Sequence, residues 1–171
     1  MRAVVVFESM WGNTAAVARA IAEGIGPETP ALTTDAATPD ALAGADLVVA
    51  GAPVMGFRLG DERIRAMAAK GEADAPTPPD VDHPSLRSWL GDLPVGHGRS
   101  ASFETRIWWT PGGATGAISK GLSAAGYAPI AKGEKFVVKG KYGPLRDGEL
   151  ERARRWGASL AAAVMGDGAS A

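Results

Sequence analysis

Residues 3–14 read Ala-Val-Val-Val-Phe-Glu-Ser-Met-Trp-Gly-Asn-Thr, which combines a strand, a short polar turn and the start of a helix. The β-branched run Val4–Val6 predicts the strand, and Val17, Ile21 and Ile25 recur at the spacing of one helix face. In such a turn, unpaired backbone N–H groups and the positive end of the helix dipole point at one spot. The segment therefore predicts an anion site.

The donors in this turn are polar but uncharged. Ser9, Asn13 and Thr14 could add side-chain donors, and the segment contains no Lys or Arg. The sequence lacks the Gly-Lys-Ser/Thr ending of a Walker loop and the spaced glycines of a dinucleotide fingerprint. A phosphate bound here would thus be held by neutral donors and peptide dipoles. The alternative is an ordinary strand-to-helix turn in which Asn13 is the N-cap.

The turn resembles the phosphate loop of the flavodoxin-like family, whose usual pattern is Ser/Thr-x-Thr-Gly-Asn-Thr. Trp11 replaces the central threonine of that pattern, and flavodoxin-like quinone reductases often carry an aromatic residue there. The resemblance implies that the protein binds FMN. The residues that would hold the FMN phosphate are Ser9, Met10, Trp11, Gly12, Asn13 and Thr14.

Strands and helices alternate along the chain. After the first strand, residues 31–33, 46–52, 99–104 and 135–139 read as strands, and helical patterns separate or follow them. This alternation predicts an α/β fold with an open parallel sheet. The resemblance implies a flavodoxin-like doubly wound five-stranded parallel sheet of order 2-1-3-4-5 with helices on both faces. The switch point of that order lies between the first and third strands, beside the polar turn. Residues 1–165 are predicted as a single domain and residues 166–171 as a flexible tail.

The loop after the third strand should meet the polar turn at the switch point. It reads Pro53-Val54-Met55-Gly56-Phe57 and opens a long irregular stretch that ends near residue 83. The resemblance implies that these five residues form one wall around the isoalloxazine ring of FMN. Val54 departs from the family pattern, because it cannot donate a hydrogen bond where many relatives have Thr. The alternative is that Met55 and Phe57 only pack the long stretch.

The loop after the fourth strand would supply the second wall. The resemblance assigns Glu104, Thr105, Arg106 and Trp108 to cofactor binding, with Thr105 and Arg106 placed to hydrogen-bond the polar edge of the ring. Trp108 and Trp109 are adjacent, so in an extended segment their side chains point in opposite directions. The alternatives for the two tryptophans are core packing and a subunit interface.

Composition narrows the function classes. The 171 residues carry 18 basic and 19 acidic side chains, and this balance argues against nucleic-acid binding. It also argues against a strongly acidic electron carrier that docks by long-range steering. There is no cysteine, and no apolar stretch reaches membrane-spanning length. We expect a cytoplasmic protein.

Other catalytic or metal sites have little support in the sequence. His83 and His97 lack metal-ligand spacing and are predicted to be solvated, and Asp80 and Asp82 beside His83 indicate a metal only faintly. No Ser-His-Asp order or nucleophile elbow is present, so no catalytic residue is assigned.

The resulting hypothesis is an FMN-binding flavodoxin-like redox protein. It would either exchange electrons with a redox partner protein or reduce a small acceptor such as a quinone with NAD(P)H, and an oligomer is compatible with either role. The alternative is a flavodoxin-fold domain that no longer binds flavin and acts as a binding or interaction module.

Overall fold

The computed structural model describes residues 1–70 and 74–168, which form one α/β fold. The strands are β1 (Ala3–Phe7), β2 (Ala31–Thr33), β3 (Leu47–Met55), β4 (Arg58–Leu59), β5 (Arg99–Ile107), β6 (Ala128–Pro129) and β7 (Glu134–Val138). The helices are α1 (Asn13–Ile25), α2 (Pro39–Leu42), α3 (Glu62–Lys70), α4 (Leu86–Gly91), α5 (Thr115–Ala124) and α6 (Glu149–Gly168).

The main sheet has the strand order β2-β1-β3-β5-β6, and all of these neighbours are parallel. The predicted fifth strand, residues 135–139, corresponds to β7, which pairs in parallel with the end of β5. The short strand β6, which was not predicted, pairs in parallel with the start of β5. Pro129 is tolerated in β6 because the N–H groups that bond to the β5 side come from its neighbours, Ala128 to the Gly98 carbonyl and Ile130 to the Ser100 carbonyl, both at 2.9 Å. The predicted fold class and order are confirmed, but the sheet contains seven strands in the described part of the chain rather than five, because β4 and β6 are added to the predicted ones.

Helices cover both faces of the sheet, as predicted. Side chains of β1 alternate between two apolar cores, with Val5 and Phe7 facing α1 and α6 and with Val4 and Val6 facing α2, α4 and α5. The two helices α1 and α6 approach closely, because a Cβ at Gly157 would clash with the backbone carbonyl of Ile21. Because β1 pairs with β2 on one side and with β3 on the other, its carboxyl end lies in the middle of the sheet.

The segment after the third strand is a β-hairpin rather than an irregular loop. Strand β3 continues to Met55 and pairs antiparallel with β4, Val54 opposite Leu59 and Met55 opposite Arg58. The connection is Gly56-Phe57, and both residues have positive φ, +57° and +66°. Positive φ at both central positions is the signature of the tight hairpin turn whose twist matches antiparallel strands. Sequence patterns gave no sign of it, because phenylalanine rarely adopts this conformation.

Two predicted segments extend beyond the described residues. The stretch 53–83 contains β4 and α3, and its residues 71–73 lie outside the described part. Helix α6 runs to Gly168, so the predicted tail 166–171 begins within the helix, and residues 169–171 lie outside the described part.

Candidate functional site

A cleft of about 480 Å³ opens where β1, β3, β5 and β7 end. Most of the predicted site residues line it, namely residues 9–11, 13, 14, 53–56, 105 and 106. Sequence interpretation missed a second group, namely residues 64, 67 and 68 of α3 together with residues 107, 110, 138 and 141. Gly12, Phe57, Glu104 and Trp108 are not among the lining residues.

The first turn of α1 faces the cleft without a side-chain cap. Gly12 is the N-cap residue, with φ +90°, and having no side chain it makes no capping hydrogen bond to the first turn. Asn13 is the first helical residue, and its Nδ2 donates to the Tyr142 carbonyl at 2.9 Å. The alternative in which Asn13 caps the helix is therefore wrong. The first turn also contains no acidic side chain, so its open N–H groups can receive an anion.

Two buried hydroxyl groups join the polar turn to β5. Thr14 Oγ1 and Thr105 Oγ1 are 2.7 Å apart, and both residues are buried while lining the cleft. One hydroxyl donates to the other, so the hydrogen of the accepting hydroxyl is left to donate elsewhere. Ser9 Oγ accepts the Gly12 N–H at 3.1 Å, and its own O–H is also a donor. The turn therefore offers hydroxyl donors in addition to backbone N–H groups.

A buried ion pair attaches α3 to the end of β1. Glu8 and Arg65 are almost fully buried, and Arg65 Nε lies 3.2 Å from Glu8 Oε1. Glu8 Oε2 also accepts the Leu86 N–H at 2.7 Å. Burial raises the pKa of Glu8 above its ordinary value, although the Leu86 hydrogen bond and the Arg65 charge oppose the rise. The ion pair matters for the cleft, because α3 supplies Ile64 and Met67 to its lining.

The two histidines have different surroundings. His97 is exposed, as predicted. The prediction of a solvated His83 is wrong, because His83 is buried, with Nδ1 at 3.3 Å from Thr34 Oγ1 and Nε2 at 3.7 Å from Asp80 Oδ2. The Asp80 N–H donates to the Met10 carbonyl, so the segment that contains Asp80 and His83 is hydrogen-bonded to the polar turn.

Glu104 is turned away from the cleft and holds the start of α5. Its Oε2 accepts the N–H groups of Ala114 at 2.6 Å and Thr115 at 3.0 Å, and the side chain is fully buried. Its Oε1 accepts from Arg106 Nη1 at 2.9 Å. Thr105, the next residue along β5, faces the cleft because successive strand residues point to opposite faces. Of the predicted residues in β5, Thr105 and Arg106 line the cleft, and Glu104 holds the Arg106 side chain by a hydrogen bond.

Three large aromatic residues, Phe57, Trp108 and Trp109, follow cleft-lining segments in the sequence but do not line the cleft themselves. Phe57 is 58% exposed, Trp108 is 74% exposed and Trp109 is 60% exposed. Core packing of the two tryptophans is therefore wrong, and their roles as ring cover or interface stay predictions. The tip of the β3–β4 hairpin is fixed next to this region, since Gly113 N–H donates to the Phe57 carbonyl at 3.0 Å.

The site combines an anion-binding turn with apolar walls from the hairpin and α3. Among residues 1–70 and 74–168, no three carboxylate, imidazole or thiol side chains come together in a way that could hold a metal ion. Within the same residues, no helix has the length and apolar character needed to cross a membrane. The arrangement suits a ligand with a flat apolar body and an anionic end.

Comparison with solved structures identifies the architecture as the flavodoxin-like fold. A flavodoxin from the domain Archaea superposes with a TM-score of 0.66 at 20% identity over 96% of this chain and 99% of that one. Oxidised flavodoxin 1 from Bacillus cereus gives 0.62 at 18% identity, with 94% and 97% covered. Rubredoxin oxygen:oxidoreductase from Desulfovibrio gigas gives 0.59 at 16% identity over 96% of this chain but 36% of that one.

Sequence comparison adds nothing to this, because neither a protein-family model nor a curated protein matches the chain. The shared architecture places the polar turn at the switch point of the sheet, where ligands of open α/β sheets bind.

Proposed function

We propose that the protein binds FMN non-covalently in the cleft and transfers electrons through it. The observation that carries this proposal is the uncapped N-terminus of α1, which faces the cleft beside the buried Thr14–Thr105 hydroxyl pair. In a flavodoxin-like fold this turn lies at the switch point, and its pattern Ser9–Thr14 matches the family's phosphate loop at all but one defined position.

The residues present fit the phosphate group. The hydroxyl that accepts within the Thr14–Thr105 pair has a hydrogen to donate, and Trp11 Nε1 is buried without a hydrogen-bond partner among the described residues. Buried donors normally have partners, so these atoms indicate a ligand that accepts hydrogen bonds. The N–H groups of the first turn of α1 supply further donors.

The apolar part of the cleft fits the isoalloxazine ring. Met55, Ile64 and Met67 line it from the hairpin and α3, and Gly56 leaves room for close backbone approach. When bound, FMN supplies the redox chemistry. The chain's own residues bind the phosphate, orient the ring and exclude water from its face. Val54 offers no hydrogen bond to the ring, so orientation would depend on Thr105 and Arg106.

The bound flavin has two candidate uses, which differ in whether it exchanges electrons with a partner protein or with small molecules. A dedicated carrier docks on a partner protein, whereas a reductase receives hydride from NAD(P)H and reduces a small acceptor such as a quinone. The net charge of −1 gives little long-range field for protein docking. The exposed aromatic side chains beside the cleft suit contact with a flat acceptor. We therefore propose the reductase, with the carrier as the second candidate.

The first experiment is the visible absorption spectrum of the purified protein, followed by titration with FMN. We expect the bands of oxidised flavin, or their perturbation when FMN is added to flavin-free protein. A colourless protein that leaves added FMN unperturbed would reject the proposal and favour a binding module.

A second experiment separates the two uses. NAD(P)H consumption that increases when a quinone is added supports the reductase. A flavin that accepts electrons only from a partner reductase supports the carrier.

A further inference from the structure

Helix α3 forms one wall of the cleft, although it buries no apolar side chain. Ile64, Met67 and Ala68 line the cleft from this helix, and Met67 is 64% exposed. Within Glu62–Lys70, all of which the structure describes, Arg65 is the only buried residue. A surface helix usually buries an apolar stripe against the core. The position of α3 therefore depends on the contacts of a buried arginine.

The contacts of Arg65 join α3 to the rest of the domain. Its Nε lies 3.2 Å from Glu8 Oε1 at the end of β1, and its Nη1 donates to Glu62 Oε2 at 2.9 Å. Glu8 Oε2 accepts the Leu86 N–H at 2.7 Å. Glu62 Oε1 accepts the Ser85 N–H at 2.6 Å. Both carboxylates that contact Arg65 are thus also bound to the backbone at the start of α4.

The buried pair of Glu8 and Arg65 has incomplete hydrogen bonding. Their side chains are 0% and 2% exposed. In the part of the chain that the structure describes, Glu8 Oε1, Arg65 Nε and Arg65 Nη2 make no hydrogen bond. A buried ion pair offsets the cost of removing two charges from water only when its geometry and its further hydrogen bonds are good. The pair therefore favours the observed position of α3 by a small margin, and removing Arg65 leaves the buried Glu8 carboxylate without this cation.

We infer that Arg65 is a positioning residue for the ring side of the cleft. Through Glu8 it holds α3 where Ile64 and Met67 cover the isoalloxazine ring. The inference rests on the proposed function and adds that this wall is adjustable. Loss of Arg65 displaces the wall but leaves the bonds within the polar turn and from the turn to β5 in place. Its effect is therefore the same for FMN and for riboflavin, which has the same ring but lacks the phosphate.

The test compares the dissociation constants of FMN and riboflavin, measured by quenching of flavin fluorescence, for the wild type, Arg65→Met and Arg63→Met. Arg63 is the matched control, because it lies in the same helix, is exposed and does not line the cleft. A wall that is in position only a tenth of the time reduces affinity by that factor. We expect Arg65→Met to weaken both flavins by about tenfold at an unchanged ratio, and Arg63→Met to change neither.

A double-mutant cycle tests whether Arg65 acts through Glu8. Glu8→Gln removes the charge, and glutamine can still accept the Leu86 N–H. Glu8→Gln should also weaken both flavins equally, and the double variant should lose no more affinity than Arg65→Met alone, because both substitutions break the same pair. Losses that add in the double variant would overturn the inference. A purely structural role would lower the free energy of unfolding without changing the flavin affinity of the folded protein.

Hydrogen exchange of the wild type tests the wall without any substitution, and it decides the question even if Arg65→Met does not fold. In protein without flavin, the amides of α3 should exchange faster than those of α1, because a helix without a buried apolar face opens locally. Bound FMN and bound riboflavin should both slow the exchange of α3. Amides of α3 that are as protected as those of α1, or that do not respond to a bound flavin, would overturn the inference.

The outcomes separate failure of the inference from failure of the proposed function. If the wild type binds FMN and Arg65→Met binds both flavins equally well, the inference is overturned and the proposed function stands. Weakening of FMN alone overturns the inference too, because Arg65 would then act on the phosphate side. If the wild type binds neither flavin, the proposed function fails together with the inference.

Discussion

At the scale of single residues, the hydroxyl of Thr14 should distinguish the two flavins. Valine has the same shape as threonine but lacks the hydroxyl, so Thr14→Val removes one donor from the phosphate site and leaves Thr105 without its partner. We expect FMN affinity to fall by about tenfold and riboflavin affinity by much less. The unpaired Thr105 hydroxyl should also lower the free energy of unfolding by about 1–2 kcal/mol.

The measurement is a titration of both flavins, with urea unfolding of the same preparations. Thr110→Val is the matched control, because Thr110 also lines the cleft but belongs to the loop after β5, and we expect its loss to leave the ratio of the two affinities unchanged. Equal loss of FMN and riboflavin in Thr14→Val would mean that the turn does not hold the phosphate.

A site residue can be recognised from the sequence when the pattern that marks it lies within one short segment of the chain. The turn Ser9–Thr14 is recognisable because strand, turn and helix follow one another directly. Glu104 is predicted to bind the cofactor together with its neighbours, but its buried carboxylate accepts the N–H groups at the start of α5, a contact that the sequence does not reveal. Lys141 had no sequence signal at all, since only the return of the β7–α6 loop brings it to the cleft.

At the scale of elements, Glu149 ties the start of α6 to the edge of the sheet. Its Oε2 accepts the Val137 N–H at 2.8 Å, a group on the side of β7 that faces no further strand, and Arg152 Nη2 lies 2.6 Å from the same oxygen. Covering an edge strand in this way satisfies its backbone and blocks further pairing. The same contact fixes the base of the β7–α6 loop that carries Lys141.

This contact predicts a pH dependence of stability. Burial by itself would raise the pKa of Glu149, but hydrogen bonds from Arg152 and Val137 outweigh it and leave the pKa below its ordinary value near 4.5. A carboxylate with a lowered pKa in the folded state binds fewer protons there than in the unfolded chain. Its stabilisation is therefore present above about pH 4.5 and is lost as the pH falls below that value.

Glu149→Gln should lower the free energy of unfolding at pH 7 by about 2 kcal/mol and flatten its decline in acid. Urea unfolding between pH 7 and pH 3 measures both effects. The control is Glu151→Gln in the same helix, because Glu151 is exposed and its ion pairs with Arg154 and Arg155 are long. An acid decline as steep in Glu149→Gln as in the wild type would contradict the assignment.

Elements themselves were predictable where the hydrophobic pattern is periodic, as in α1 and β3. The hairpin β3–β4 was missed because its turn, Gly56-Phe57, requires positive φ at a phenylalanine. Contacts from the loop after β5, such as the Gly113 N–H to the Phe57 carbonyl, stabilise a conformation that local preference disfavours.

At the scale of the whole molecule, topology follows from few rules. Alternating elements and right-handed crossovers predict an open parallel sheet, and the resemblance of residues 9–14 to the flavodoxin-like phosphate loop adds its order and the place of its switch point. The short strand β6 and the return of the β7–α6 loop depend on tertiary contacts, which a single sequence does not display. The position of the site was therefore predictable, but the part of its lining that comes from α3 and from the β7–α6 loop was not.

Binding of the ligand should also stabilise the whole folded domain against unfolding. FMN that binds only the folded state raises the free energy of unfolding by about 2.7 kcal/mol when its free concentration is 100 times the dissociation constant. For a domain of this size each kcal/mol raises the melting temperature by about 2–4 °C, so we expect a rise of roughly 5–10 °C.

Thermal unfolding followed by circular dichroism, with and without flavin, measures this rise. Riboflavin at the same concentration is the control, and it should raise the melting temperature less because it lacks the phosphate that the turn would hold. An equal rise with both flavins would place the binding energy in the ring alone. The absence of any rise with FMN would contradict binding to the folded state, since a ligand that prefers the native protein must stabilise it.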